Sequence, residues 1–123
     1  VSQQILLVDD DDAVRQFARR ALTDAGHRVL SVSSGQEAVA AASHLTQLDV
    51  IITDVVMPGM MGGAVARSIT EAFPNARVLL VSGYIDDASV IPNVATGHWA
   101  YLVKPFSIRE LCDAVDQLTN ARA

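Results

Sequence analysis

Short runs of apolar, β-favouring residues alternate with segments of helical period five times along the chain. The strand candidates are Gln4–Val8, Arg28–Val32, Val50–Thr53, Arg77–Val81 and Trp99–Val103. The first, third and fourth are apolar on both faces (Ile5-Leu6-Leu7-Val8, Val50-Ile51-Ile52, Val78-Leu79-Leu80-Val81), the pattern of strands covered by helices on either side. The second, Val29-Leu30-Ser31-Val32, is more mixed and suits a sheet edge. After the first strand, Val14, Phe17, Ala18, Ala21, Leu22 and Ala25 make one helical stripe. Asp11 or Asp12 can cap its start, and Gly26 can end it in the left-handed conformation. Ser34 with Glu37, and Ser107 with Glu110, have capping-box spacing and open the second and last helices. The last helix then lays Ile108, Leu111, Val115 and Leu118 along one side. A third helix is expected over about Gly63 to Phe73, loosened at its start by Gly62-Gly63 and stopped by Pro74. A fourth would begin at Asp86-Asp87, and Pro92 would shorten or break it.

Alternating βα units of this kind imply the α/β class, an open, doubly wound parallel sheet with helices on both faces. Right-handed crossovers leave few strand orders, and the flavodoxin-like order 2-1-3-4-5 is the one expected. No repeat, linker or low-complexity stretch divides the chain, so a single domain is expected over residues 1–123, with its core at about 4–118.

Half of the 123 residues are hydrophobic, enough to close one core. A net charge of -5 without a basic stripe argues against direct nucleic-acid binding. The single cysteine, Cys112, rules out a disulfide framework and fits a reducing compartment, so a cytoplasmic location is expected. No apolar run approaches the roughly 20 residues that span a bilayer, and no membrane insertion by this domain is expected. The opening Val-Ser-Gln-Gln has no signal-peptide pattern and no Met, which suggests a piece of a longer protein.

The acids fall where such a sheet binds ligands, beyond the carboxyl ends of its strands at the point where strand order reverses. Asp9-Asp10 follows the first strand and Asp54 the third. Three carboxylates converging on one crevice raise one another's pKa unless a cation compensates. Mg²⁺ suits one or two carboxylates with retained waters and a phosphate oxygen. Lys104, the only lysine, follows the fifth strand and offers a compact charge on a flexible stem. Ser82 follows the fourth strand and offers a hydroxyl, with Gly83 beside it leaving room. Taken singly, each acid reads as a helix cap or a solvated charge, the lysine as a surface charge, and Ser82 as nothing in particular. Their joint placement at four strand ends matches a metal-assisted phosphoryl-transfer site with a carboxylate nucleophile.

Four pieces carry a resemblance: Ile5-Leu6-Leu7-Val8-Asp9-Asp10-Asp11, Asp49-Val50-Ile51-Ile52-Thr53-Asp54-Val55-Val56-Met57-Pro58-Gly59, Val81-Ser82-Gly83-Tyr84 and Lys104-Pro105-Phe106. In this order and spacing, the chain resembles a receiver domain of the two-component response-regulator family over about Gln4 to Leu118. The Val-Ser-Gly-Tyr run followed by Asp-Asp is similar to receivers attached to hybrid sensor histidine kinases. The resemblance implies that Asp54 accepts a phosphoryl group from a phosphohistidine on a histidine kinase or phosphotransfer protein. It implies that Asp9, Asp10, Asp54 and the backbone carbonyl of Val56 hold Mg²⁺. Lys104 would pair with the phosphoryl group, its bond to Pro105 being cis. Ser82 and Tyr101 would form the switch, read out on the face of the fourth helix, fifth strand and last helix toward a downstream effector. Val56 and Tyr84, each two residues past a site residue, would tune the lifetime of the acyl phosphate. The chain itself is then a phosphoacceptor with self-dephosphorylation rather than a conventional enzyme.

Three rival functions compete with this reading. An aspartyl-phosphate phosphatase of the haloacid-dehalogenase kind needs a second Asp two residues past the nucleophile, where this chain has Val56. A flavin-binding domain needs a Ser/Thr/Gly-rich loop after the first strand, where Asp9 to Asp12 would repel a phosphate. A pseudo-receiver that only binds proteins does not need a complete acid set with Lys104. His27, His44 and His98 are scattered and suggest no zinc site. Cys112 and Trp99 read as packing residues, and Met57, Met60 and Met61 as packing or partner contacts near the site.

Overall fold

Side chains alternate across a strand, so each central strand of a covered sheet feeds two separate cores. The computed structural model describes residues 2–56, 59, 61–83 and 99–120 and follows this rule. Its elements are β1 (Gln4–Val8), α1 (Asp12–Asp24), β2 (Arg28–Val32), α2 (Gly35–Ala42), β3 (Val50–Asp54), α3 (Gly62–Ala72), β4 (Arg77–Ser82), β5 (Trp99–Val103) and α4 (Ile108–Asn120). The strands form one parallel sheet in the order β2-β1-β3-β4-β5, as expected. Leu6, Val8, Ile51, Val78 and Leu80 pack on one face with Ala38 and Ala42 of α2 and Val65, Ala66 and Ile69 of α3. Ile5, Leu7, Val50, Ile52, Leu79 and Val81 pack on the other with Ala18, Ala21 and Leu22 of α1 and Leu111, Val115 and Leu118 of α4. Here α4 is the last helix of the sequence; the expected helix at Asp86, Asp87 and Pro92 lies outside the described residues.

The helix signals act through the expected atoms, apart from the Glu37 carboxylate. Asp11 caps α1, its Oδ1 accepting from the N–H groups of Ala13 and Val14 at 3.0 and 3.2 Å. Gly26, at φ +99°, ends the helix beyond Ala25. Ser107 and Glu110 form a full reciprocal box, each side chain accepting from the other's N–H. Ser34 caps α2 by accepting from Glu37 N–H, but the Glu37 carboxylate reaches back to the N–H and hydroxyl of Ser33 instead.

Two expectations need correction. Phe17 belongs to the predicted stripe yet is 42% exposed, because it lies at the rim and tilts against Phe106, ring centres 6.1 Å apart. Gly62 does not loosen the third helix. It is the first residue of α3, donating its N–H to Val55 O at 2.8 Å, and a Cβ there would lie 2.0 Å from the backbone oxygen of Asp54. Only glycine lets the helix start so close to the end of β3.

Candidate functional site

The sheet register sets the site. Val8 pairs with Thr53, so Asp9 arrives level with Asp54, the last residue of β3. Asp54 pairs with Val81, and Ser82 with Val103, which brings Lys104 to the same end. Lys104 N–H donates to Ser82 O at 2.8 Å, so the chain leaves β5 still tied to β4. The Lys104–Pro105 bond is cis, as expected.

At the mouth of the β1–β3 crevice, Lys104 Nζ stands 3.0 Å from Asp9 Oδ2 and 3.1 Å from Asp54 Oδ2. The Asp9 carboxylate also accepts Asp11 N–H on Oδ1 at 2.9 Å. Asp10 is exposed, and carboxylate oxygens of Asp9, Asp10 and Asp54 lie within 4.8 Å of one another. Asp9 and Asp54 are both buried residues.

Burial pushes the Asp9 carboxyl above its ordinary range; the Asp11 N–H and Lys104 pull it down, while neighbouring Asp54 adds to the rise. For Lys104, burial acts to lower the pKa, but its bonds to Asp9 and Asp54 outweigh it and hold the ammonium above its ordinary value. An ion pair alone would depress Asp9. That Asp9 remains raised means loss of water outweighs its share of one ammonium. Among the described residues, three carboxylates meet one ammonium here. The pocket's donors are all hard oxygens, a set that fits Mg²⁺ far better than zinc or copper.

The remaining predicted residues fall around this group. Ser82 closes β4 and is buried. Tyr101, half-buried on β5, packs with the α2–α3 core, and its hydroxyl is buried with no hydrogen-bond partner among the described residues. Apolar Val56 is 62% exposed, and its N–H makes a long contact of 3.4 Å with Asp54 Oδ1. Tyr84, Met57, Pro58, Met60 and His98 lie outside the described residues. Of the residues the motifs did not single out, Arg15 donates to the backbone oxygen of Asp9 at 2.9 Å. The Asp12–Arg15 spacing, a helical ion pair, was its one sequence signal.

The model of the response regulator receiver domain matches residues 5–116. The sensor kinase CckA of Brucella abortus is 36% identical over 118 residues, 95% of this chain, and the chain spans 12% of that protein's length. The response regulator receiver protein CpdR of Brucella abortus is 30% identical across 97% of this chain and 98% of its own length. Among solved structures, the Vibrio cholerae chemotaxis protein CheY4 superposes with a TM-score of 0.84 and 29% identity, covering 96% of this chain and 99% of its own. Sheet order, family model and relatives agree: the chain belongs to the response regulator receiver domain family, whose work is phosphorelay signalling.

Proposed function

We propose that this chain accepts a phosphoryl group on Asp54 from a phosphohistidine of a histidine kinase or phosphotransfer protein, with Mg²⁺ bound. The observation that carries the reading is the contact of one ammonium with two buried carboxylates from neighbouring strands, with Asp10 close enough to share a cation. Asp9, Asp10, Asp54 and the backbone carbonyl of Val56 would hold the ion. When bound, Mg²⁺ supplies positive charge against the carboxylates and the transferring phosphoryl oxygens. An Asp54 oxygen attacks phosphorus while the P–N bond to the donor imidazole breaks, its electron pair returning to the ring. The product on this side is an acyl phosphate. Lys104, tethered through its backbone to Ser82, needs to shift its ammonium only from Asp54 Oδ2 to a phosphoryl oxygen.

Ser82 and Tyr101 are then the switch. Ser82 turns its hydroxyl to the phosphoryl group, and Tyr101 answers on the signalling face of β5. The partner-facing state gains only as much as the phosphoryl group prefers it over the alternative. An apolar Val56 supplies no acid or base for rapid turnover, which favours a signalling acceptor over a phosphatase. The similarity to the sensor kinase CckA over 95% of the chain, and to the solved receiver domain of the hybrid histidine kinase CckA, favours a receiver carried by a hybrid sensor kinase. Acetyl phosphate with Mg²⁺ is expected to add one phosphoryl group to the protein and none after chelation. A protein that stays unmodified under both conditions is a pseudo-receiver.

A further inference from the structure

Every polar group of Asp9 is engaged. Its N–H donates to Val32 O at 3.2 Å, Oδ1 accepts from Asp11 N–H, and Oδ2 faces Lys104. Its backbone oxygen, at the point where β1 has ended and the ladder can no longer serve it, accepts from Arg15 Nη1 at 2.9 Å. Arg15 stands on α1, with its side chain 17% exposed, and its Nη2 pairs with Asp12 on the first turn of the same helix. A planar guanidinium with a fixed fork of donors thereby ties the end of β1 to the start of α1.

The Asp9 oxygen and the Asp10 N–H belong to one rigid peptide plane. Holding the oxygen fixes the plane, and with it the direction in which Asp10 leaves the chain. Asp10 has little else to orient it: it is exposed, and no hydrogen bond from the described residues reaches its carboxylate. We propose that Arg15 is a positioning residue for the divalent-cation site, acting on Asp10 through the Asp9–Asp10 peptide. This role rests on the proposed Mg²⁺ site.

Charge and geometry make opposite demands here. A guanidinium near the pocket repels a cation, so removing its charge alone would tighten Mg²⁺ binding. Losing the clamp would weaken it. Lysine keeps the charge but cannot hold the carbonyl and the Asp12 carboxylate in one planar fork.

The test is calorimetric Mg²⁺ titration of wild type, Arg15→Ala and Arg15→Lys, with urea melts run alongside. Both variants are expected to bind Mg²⁺ about tenfold more weakly, the low end for partners that orient metal ligands. Modification by acetyl phosphate falls at low Mg²⁺ and recovers when Mg²⁺ saturates. Unchanged or tighter Mg²⁺ binding in Arg15→Ala overturns the role, even if the melt shifts. Should Arg15→Ala not fold, Arg15→Lys decides: wild-type affinity there also overturns it. A wild-type protein that binds no Mg²⁺ overturns the proposed function and this role together; normal wild-type binding with unaffected variants overturns the role alone.

Discussion

At the scale of single residues, Lys104 holds the pocket together by pairing with both Asp9 and Asp54. Its side chain is 20% exposed, so water screens part of the interaction, yet the two carboxylates it serves are nearly buried. Lys104→Met leaves them facing each other. We expect a loss of about 1–3 kcal/mol in metal-free urea unfolding, below the figure for a fully buried pair broken on one side. Mg²⁺ is expected to restore much of it. Equal destabilisation with and without Mg²⁺ would contradict the shared-charge account.

Gly62 makes a steric prediction. Gly62→Ala sets a Cβ against the Asp54 backbone oxygen, so either α3 or the end of β3 must move. Overpacking of this kind costs about 1–3 kcal/mol, and phosphoryl acceptance is expected to fall with it. A variant with wild-type stability and wild-type acceptance would show that the two elements can separate freely.

His27 predicts a pH dependence at the opposite end of the sheet. Its Nδ1 accepts Gln3 N–H at 3.1 Å, which requires the neutral ring at that nitrogen. Burial lowers its pKa below the ordinary 6.5, against a smaller upward pull from Asp116. The unfolded chain therefore takes up the proton first as pH falls. The His27 contribution is full above pH 6.5 and is lost as pH drops from there through the lower folded value. Comparing urea midpoints of wild type and His27→Gln across that window checks this: the wild type is expected to lose more on acidification.

At the scale of elements, helix starts were legible wherever a side chain does the capping. Ser34, Asp11 and Ser107 all act through the atoms their spacing implied. The sequence pattern starts helix α3 at Gly63, one residue late, because the start at Gly62 obeys a different rule. Met61 occupies the cap position with no side-chain bond, and the helix is fixed instead by the approach of Gly62 to β3. Proximity of that kind leaves no periodic trace. It also leaves a vacancy in the local hydrogen bonding: Met61 is 49% exposed, so little packing is lost on replacing it. Met61→Ser is expected to stabilise the protein by about 1 kcal/mol through a new cap bond. An unchanged or lower unfolding midpoint would count against that reading of α3.

At the scale of the whole molecule, strand order and the two cores followed from apolar runs and alternation, because a parallel sheet covered on both faces tolerates few arrangements. The convergence of Asp9, Asp54 and Lys104 is legible because each lies at or directly after a strand end, and parallel strands bring their carboxyl ends to one side. Arg15 is not. Its helix position is unremarkable in sequence, and its partner is a backbone oxygen, which carries no residue identity. The Tyr101 hydroxyl, which has no hydrogen-bond partner among the described residues, likewise depends on packing depth rather than on residue type.

The central claim is that Asp54 carries the phosphoryl group, and the acyl phosphate can be recorded chemically. After incubation with acetyl phosphate and Mg²⁺, borohydride reduces an aspartyl phosphate to homoserine, which peptide mass spectrometry locates. We predict homoserine at position 54, and none in Asp54→Asn. Homoserine at position 9 or 10, or at position 54 without added phosphoryl donor, would contradict the account.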